Sequence, residues 1–205
     1  MTVIKHKVFI SFHHDNDQKY KDELVKMGNA VFIDMSVKLG EIPEEWSDER
    51  IRTFIRDEHL RDSTVTILLV GKETKFRKHV DWELYSSMFD GKVNKKSGIV
   101  VVLLPTAKSE YYTVGHANEK KLIYPEQTQW LRIISRQEFE KRYPYMPERI
   151  IDNLLKQDAL ISVINWDKLN EQVLKLLIEN AYLDRDKCNY DLSRQLRRKN
   201  SSSTI

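Results

Sequence analysis

Short apolar runs recur along the chain, and each is followed by a polar stretch or by a stretch with helical periodicity. Residues 7–12 read Lys-Val-Phe-Ile-Ser-Phe, which is a nearly continuous apolar run with β-branched and aromatic side chains. Such a run is typical of a strand that is buried on both faces of a sheet. The same pattern predicts further strands at residues 30–34, 64–70, 98–104 and 159–164.

Amphipathic segments lie between these runs and predict helices. The first helix is expected to start from an N-cap at Asn16 or Asp17 and to end at Gly28-Asn29. Its inward stripe would contain Tyr20 and Leu24. Further helices are predicted at about residues 44–58, at about residues 76–89, and from a cap at Asn165 or Asp167 through Ala181.

The alternation of strands and helices predicts the fold class. Strands separated by single helices form parallel sheets with right-handed crossovers. The short crossovers favour a flavodoxin-like α/β sandwich of three layers, with a mostly parallel central sheet of order 2-1-3-4-5 and helices on both faces. We therefore expect one domain over residues 1–183, followed by a tail over residues 184–205.

The pattern weakens after Pro105, and we interpret residues 106–157 as insertion-like loops and helices within the domain. Residues 106–130 are polar and aromatic and predict a long loop. Residues 130–134 are a candidate short strand. The helical pattern over residues 136–157 is interrupted by two prolines, Pro144 and Pro147.

Charge adds one feature to this picture. The 205 residues contain 34 Lys and Arg against 31 Asp and Glu, which gives a net charge of +3. Basic residues outnumber acidic ones in the segment 184–205, so we predict a basic, solvated and flexible C-terminal tail. A balanced body with a short basic tail disfavours nucleic-acid binding.

Composition also bears on the compartment. No apolar run approaches the roughly 20 residues that span a bilayer, so no membrane association is expected. The N-terminal residues lead directly into a strand without the apolar stretch of a signal peptide. A single cysteine, Cys188, fits a reducing compartment. We therefore expect a cytoplasmic protein.

The predicted topology places a ligand crevice between the first and third strands, because the winding of the sheet reverses there. Phe76, Val80, Glu83 and Ser87 share one face of the helix that follows the third strand. Glu83 thus falls on the inward stripe, where a glutamate is unusual and where burial would raise its pKa. We predict that Glu83 is a functional residue. A surface glutamate that pairs with Arg77 or a lysine is the alternative.

Other chemistries find less support in the sequence. His13, His14, Asp15 and Asp17 suggest a metal site, but no further cluster of His or Cys completes a ligand set, so we predict no metal. The segment after the first strand contains no glycine, which disfavours a phosphate-cradling loop and a bound flavin cofactor. The strand ends lack the aspartates of a phosphorelay site.

Two segments resemble TIR-like domains. The run Val8-Phe9-Ile10-Ser11-Phe12-His13 resembles the first strand of the family, and His79-Val80-Asp81-Trp82-Glu83-Leu84 resembles the helix that carries its catalytic glutamate. Asn165-Trp166-Asp167-Lys168-Leu169 fits the same branch. Over roughly residues 5–180 the chain is similar to the TIR-like proteins of the Thoeris antiphage defence system.

This resemblance implies an enzyme that consumes NAD as its substrate and needs no bound cofactor. It would cleave the nicotinamide–ribose bond and make a cyclic ADP-ribose-type signal. That diffusible nucleotide would activate a partner effector protein during phage infection. Activity would depend on an infection trigger, and activation could involve a homo-oligomer. A non-enzymatic TIR interaction module is the alternative function.

The site residues follow from the crevice and the resemblance together. Glu83 is the predicted catalytic residue, since one carboxylate can stabilise an oxocarbenium-like transition state. Phosphates are expected near Arg77, and aromatic contacts to the substrate rings from Phe12 and Trp46. The complete set of predicted substrate-binding residues is Ser11, Phe12, His13, Asp34, Trp46, Arg77 and His79.

Overall fold

The computed structural model describes residues 5–36, 42–43, 45–91 and 94–201. A five-stranded sheet forms the centre of the molecule, and all of its neighbouring strands are parallel. The strand order is 2-1-3-4-5, as the sequence predicts. The strands are β1 (His6–Ser11), β2 (Phe32–Asp34), β3 (Val65–Val70), β4 (Gly98–Leu103) and β5 (Ser162–Asn165).

Helices connect the strands and cover the sheet. The α-helices of the described residues are α1 (His14–Met27), α2 (Asp48–Phe54), α3 (Lys78–Met88), α4 (Ala117–Leu122), α5 (Arg136–Arg142), α6 (Glu148–Leu154) and α7 (Glu171–Asp184). A π-helical turn, Ile55–His59, continues α2 directly. Within the described residues, no helix has the length and apolar character needed to cross a membrane.

The core is divided between the two faces of the sheet. Every residue of β3 and of β4 is buried, because alternate side chains point to opposite faces and both faces are covered. Leu24 of α1 and Leu174 of α7 pack on one face. Leu84 of α3 and Ile150 of α6 pack on the other. The three-layer α/β sandwich is therefore confirmed.

Two predicted helix caps are wrong. Helix α1 starts at His14, with His13 at the N-cap position, so Asn16 and Asp17 lie within its first turn. Helix α7 starts at Glu171, and the Asn170 side chain accepts a hydrogen bond from the backbone N–H of Val173 at 3.0 Å. The reason is that Trp166–Lys168 form a separate 3-10 turn before that helix.

The segment 106–157 contains more helix and less strand than its sequence predicts. Helix α4 interrupts the predicted loop, and residues 130–134 form no strand. The single pairing of this region with the sheet is an antiparallel bridge between Thr113 and Val163. Helices α5 and α6 are separated at residues 143–147, where the two prolines lie, as expected.

The predicted solvated tail is wrong for residues 185–201. Cys188 and Leu196 are buried, and the Tyr190 hydroxyl donates a hydrogen bond to the Ser97 carbonyl at 3.0 Å. These apolar side chains recur among the charged ones and anchor the segment, which net charge alone does not reveal. Residues 202–205 lie outside the described part of the chain.

Candidate functional site

Glu83 is held against the carboxyl end of β1. Its side chain faces inward from α3 and is 2 % exposed, as the helical phase predicts. Ser11, the last residue of β1, donates a hydrogen bond from Oγ to Glu83 Oε2 at 2.5 Å. Ser11 is itself fully buried. The structure therefore joins two of the predicted site residues at the sheet position where the winding reverses.

Burial determines the electrostatics of this pair. Loss of solvation raises the pKa of Glu83 to about 8 from its ordinary value of 4.5, although the Ser11 hydrogen bond acts to lower it. The carboxyl group thus holds a proton at neutral pH in this conformation. A positive charge brought close to it would favour the ionised form, so the site is suited to a cationic reacting group.

Arg77 and His79, two predicted substrate-binding residues close to Glu83 in the sequence, make other contacts. Arg77 pairs with Glu73 one turn before α3, and its Nε is buried without a partner among the described residues. The His79 ring stands edge-on to Trp82 at 5.4 Å between centroids. Burial, followed by the nearby Lys78 charge, lowers the pKa of His79. The surface ion-pair alternative for Glu83 is therefore wrong.

Phe12 and His13, which follow Ser11, are both buried but in different surroundings. Phe12 is buried in the core on the face of the sheet that holds α1 and α7. His13 is buried at the end of β1, and its Nδ1 has no partner among the described residues. Burial lowers the pKa of His13, and the charge of Arg77 lowers it further. Because Arg77 directly precedes α3, His13 lies near the start of that helix.

Asp34 is the last residue of β2, and Trp46 lies two residues before α2. Asp34 Oδ2 lies 2.6 Å from Lys21 Nζ, and Asp34 Oδ1 accepts hydrogen bonds from Ser36. Burial alone would raise the pKa of Asp34, but these bonds lower it. The Trp46 ring lies under the Arg50 guanidinium at 4.0 Å. Residues 37–41 and 44, between Asp34 and Trp46, lie outside the described residues.

Asp17, one of the two residues predicted to cap α1, is a second buried carboxyl group. It is 2 % exposed, and its Oδ2 has no partner among the described residues. Burial raises its pKa to about 6. A Cβ at Gly71, directly after β3, would lie 2.6 Å from this oxygen, so the carboxyl group packs against the backbone there. Acidic residues in a first helical turn are common, and the sequence held no signal of this burial.

Two cavities lie away from Glu83. One, of about 810 Å³, is bordered by the ends of β4 and β5, including Leu103 and Asn165. The other, of about 540 Å³, is bordered by Tyr143 and Leu160. Neither is lined by Glu83, but a buried carboxyl group with a raised pKa marks a functional site more specifically than cavity volume does.

A metal centre requires several ligand side chains that are grouped around one point. In the part of the chain that the structure describes, no three His, Cys, Asp or Glu side chains are grouped so that they could hold an ion. His13 and Asp15 approach each other at 3.9 Å, but two side chains do not form a metal centre.

The sheet order and the buried glutamate of α3 define a TIR-like α/β domain. Comparison with protein families agrees: the model for the Thoeris protein ThsB, TIR-like domain, matches residues 9–109. No curated protein matches the chain. The matched residues, about half of the 205, contain α3 and the Ser11–Glu83 pair, so this region is a TIR-like domain of the kind found in the Thoeris antiphage defence protein ThsB.

Proposed function

We propose that the protein cleaves NAD at the nicotinamide–ribose bond and forms a cyclic ADP-ribose-type signal that activates an effector protein. The observation that carries this proposal is the buried Glu83 carboxyl group at the crevice between β1 and β3, bonded to Ser11. A carboxyl group is costly to bury, and such a group beside a ligand crevice is a candidate for catalysis.

The reaction suits a site with one such acid. Nicotinamide is already cationic in NAD, so it leaves without a general acid as its bond to the ribose carbon breaks. The transition state resembles an oxocarbenium ion, which an ionised Glu83 would stabilise through its charge. Attack by water would give ADP-ribose, and attack by another atom of the same molecule would give a cyclic product.

Substitution of Glu83 by glutamine tests this proposal. Glu83→Gln keeps the size and hydrogen bonding of the side chain but removes its charge, so we expect nicotinamide release to fall by about 100-fold or more. Release is measured with purified protein and, because a trigger is expected, by mass spectrometry of extracts from phage-infected cells. An ADP-ribose-related product that depends on Glu83 would identify the signal.

Glu119 offers a matched control. It is also a buried glutamate with a raised pKa, and it accepts hydrogen bonds from a serine, Ser162, at 2.8 Å. Glu119→Gln should leave nicotinamide release per folded molecule close to that of wild type. Equal release by wild type and Glu83→Gln would refute the assignment.

A non-enzymatic interaction module is the second candidate function. The observation that favours it is the near-complete burial of Glu83, because a structural glutamate can be satisfied by one serine. On this hypothesis neither infected cells nor purified protein would release nicotinamide in a Glu83-dependent way. Glu83→Gln would then retain antiphage protection, which an infection assay measures directly.

A further inference from the structure

The C-terminal segment crosses the molecule against α2 and α3. We call residues 196–201 the C-terminal strap. Leu196 is 5 % exposed and packs in a cluster with Phe9 of β1, Ile51 of α2 and Trp82 of α3. The Arg197 carbonyl accepts a hydrogen bond from Trp82 Nε1 at 2.7 Å. The first half of the strap is thus anchored between α2 and α3.

The second half of the strap reaches the starts of both helices. Arg198 Nη1 donates to the Trp46 carbonyl at 2.8 Å, and the same guanidinium contacts Asp48, the first residue of α2. Asn200 Oδ1 accepts a hydrogen bond from the backbone N–H of Lys78, the first residue of α3, at 2.9 Å. The backbone N–H of Ser201 donates to the Phe76 carbonyl at 3.1 Å.

These helix starts are located at the ligand-binding edge of the sheet. In a parallel sheet, each helix N-terminus follows the carboxyl end of a strand, so α2 and α3 both begin where the crevice opens. Phe9 and Ser11 lie two residues apart on β1 and therefore point to the same face. Phe9 contacts the cluster that holds Leu196, and Ser11 binds Glu83. The strap consequently covers the side of the sheet on which Glu83 lies.

We propose that the strap is an autoinhibitory contact, which closes the entrance to Glu83 between α2 and α3 until residues 198–201 lift away. This inference rests on the proposed function, because NAD is the molecule that would need the entrance. Glu83 is 2 % exposed, so a substrate can reach it only after a rearrangement. The pyrophosphate of NAD would also compete with Asn200 for the N–H groups at the start of α3.

The contacts of residues 198–201 are weak enough to be replaced by contacts with a ligand or with water. Arg198 and Asp48 are 45 % and 39 % exposed, and ion pairs with this much solvent contact contribute little and weaken with salt. Leu196 would remain in its cluster as the anchor. If the closed strap outweighs the lifted one by about ten to one, the apparent affinity for NAD is reduced about tenfold.

NAD binding to turnover-deficient protein tests the strap. In a Glu83→Gln background, isothermal titration would compare the intact chain, the Arg198→Glu/Asn200→Ala double variant, and a chain that ends at Arg197. Lys199→Glu is the matched control, since Lys199 is exposed and its substitution changes the charge by the same amount as Arg198→Glu does. Hydrogen exchange at residues 78–82 would report whether the start of α3 has been uncovered.

We expect the double variant and the shortened chain to bind NAD about tenfold more tightly, which is about 1.4 kcal/mol, and the control to bind as the intact chain does. Equal or weaker binding after the α3 amides are uncovered would overturn the inference. So would an absence of NAD binding in every form, the shortened chain included.

The same strap changes in the presence of Glu83 separate the two proposals. Binding that depends on the strap, without any nicotinamide release by the purified protein or in phage-infected cells, would refute the proposed reaction and leave the strap as a gate. Nicotinamide release at the same rate with and without the strap would refute the gate and leave the reaction.

Discussion

Glu83 and Ser11 combine a raised pKa with a hydrogen-bond donor at the end of a buried strand. In the closed conformation the carboxyl group is neutral near pH 7, because burial raises its pKa to about 8. A neutral acid cannot stabilise a developing positive charge as well as a carboxylate can. The proposed reaction therefore requires ionisation of Glu83 when solvent or the cationic nicotinamide riboside enters the crevice.

The raised pKa predicts a pH dependence of stability. Between its ordinary value of 4.5 and about 8, Glu83 keeps its proton in the folded protein and loses it in the unfolded chain. The folded state binds more protons, so its stability falls as pH rises through this window, by up to about 1.4 kcal/mol per pH unit. Urea unfolding of wild type and Glu83→Gln at several pH values would measure the difference.

The comparison with Glu83→Gln isolates this one group. Asp17 and Glu119 also have raised pKa values, but they are present in both proteins and cancel in the difference. The stability of wild type relative to Glu83→Gln should decline from pH 5 to pH 8. A difference that stays constant over this range would show that Glu83 is ionised in the folded protein throughout.

Helix α7 packs on β4 at a point where no side chain fits. A Cβ at Gly98, the first residue of β4, would lie 2.1 Å from the Ala181 carbonyl oxygen. Since that atom belongs to the helix backbone, Gly98→Ala must shift α7 away from the sheet. We expect it to lower the free energy of unfolding by about 1–3 kcal/mol.

Thermal or urea unfolding of Gly98→Ala would check this prediction. Lys95→Ala, at an exposed position before the same strand, should stay within about 0.5 kcal/mol of wild type. Wild-type stability in Gly98→Ala would mean that α7 is packed less closely on β4 than the structure indicates.

The strands were the part of the fold that periodicity could predict. All five were located, and their order followed from the alternation with helices, because runs such as residues 64–70 are apolar throughout and buried strands require that. Helix starts were less predictable. Asn16, Asp17 and Asn170 all have side chains that can cap a helix, but only Asn170 does so, whereas α1 follows His13, which makes no capping hydrogen bond.

The candidate site was likewise predictable from the sequence only in part. The inward direction of Glu83 followed from helical spacing, since position on a helix determines which side chains share a face. Its partner was not predictable, because the contact with Ser11 joins residues 72 positions apart in the sequence. The burial of Asp17 likewise depends on Gly71, which tertiary structure brings next to it.

The C-terminal segment packs against the region that matches the family, although the match itself ends at residue 109. Arg149 of α6 is fully buried, donates to both carboxylate oxygens of Asp81 in α3, and also donates to the Arg194 carbonyl. The Arg197 backbone N–H donates to Asp81 as well. The C-terminal segment thus completes a buried network that joins α3 to α6, and the TIR-like region depends on residues far along the chain.

Leu196→Ala tests this dependence. Truncation of a leucine that is 5 % exposed removes apolar contacts and leaves a cavity between α2 and α3, which costs about 2–5 kcal/mol. Leu183→Ala is the control, because that side chain is 59 % exposed and should contribute less than about 0.5 kcal/mol. Urea unfolding followed by tryptophan fluorescence suits the test, since Trp82 contacts the same cluster. If both variants unfold at the same urea concentration as wild type, the segment is a surface attachment, and the α2–α3 core is stable without it.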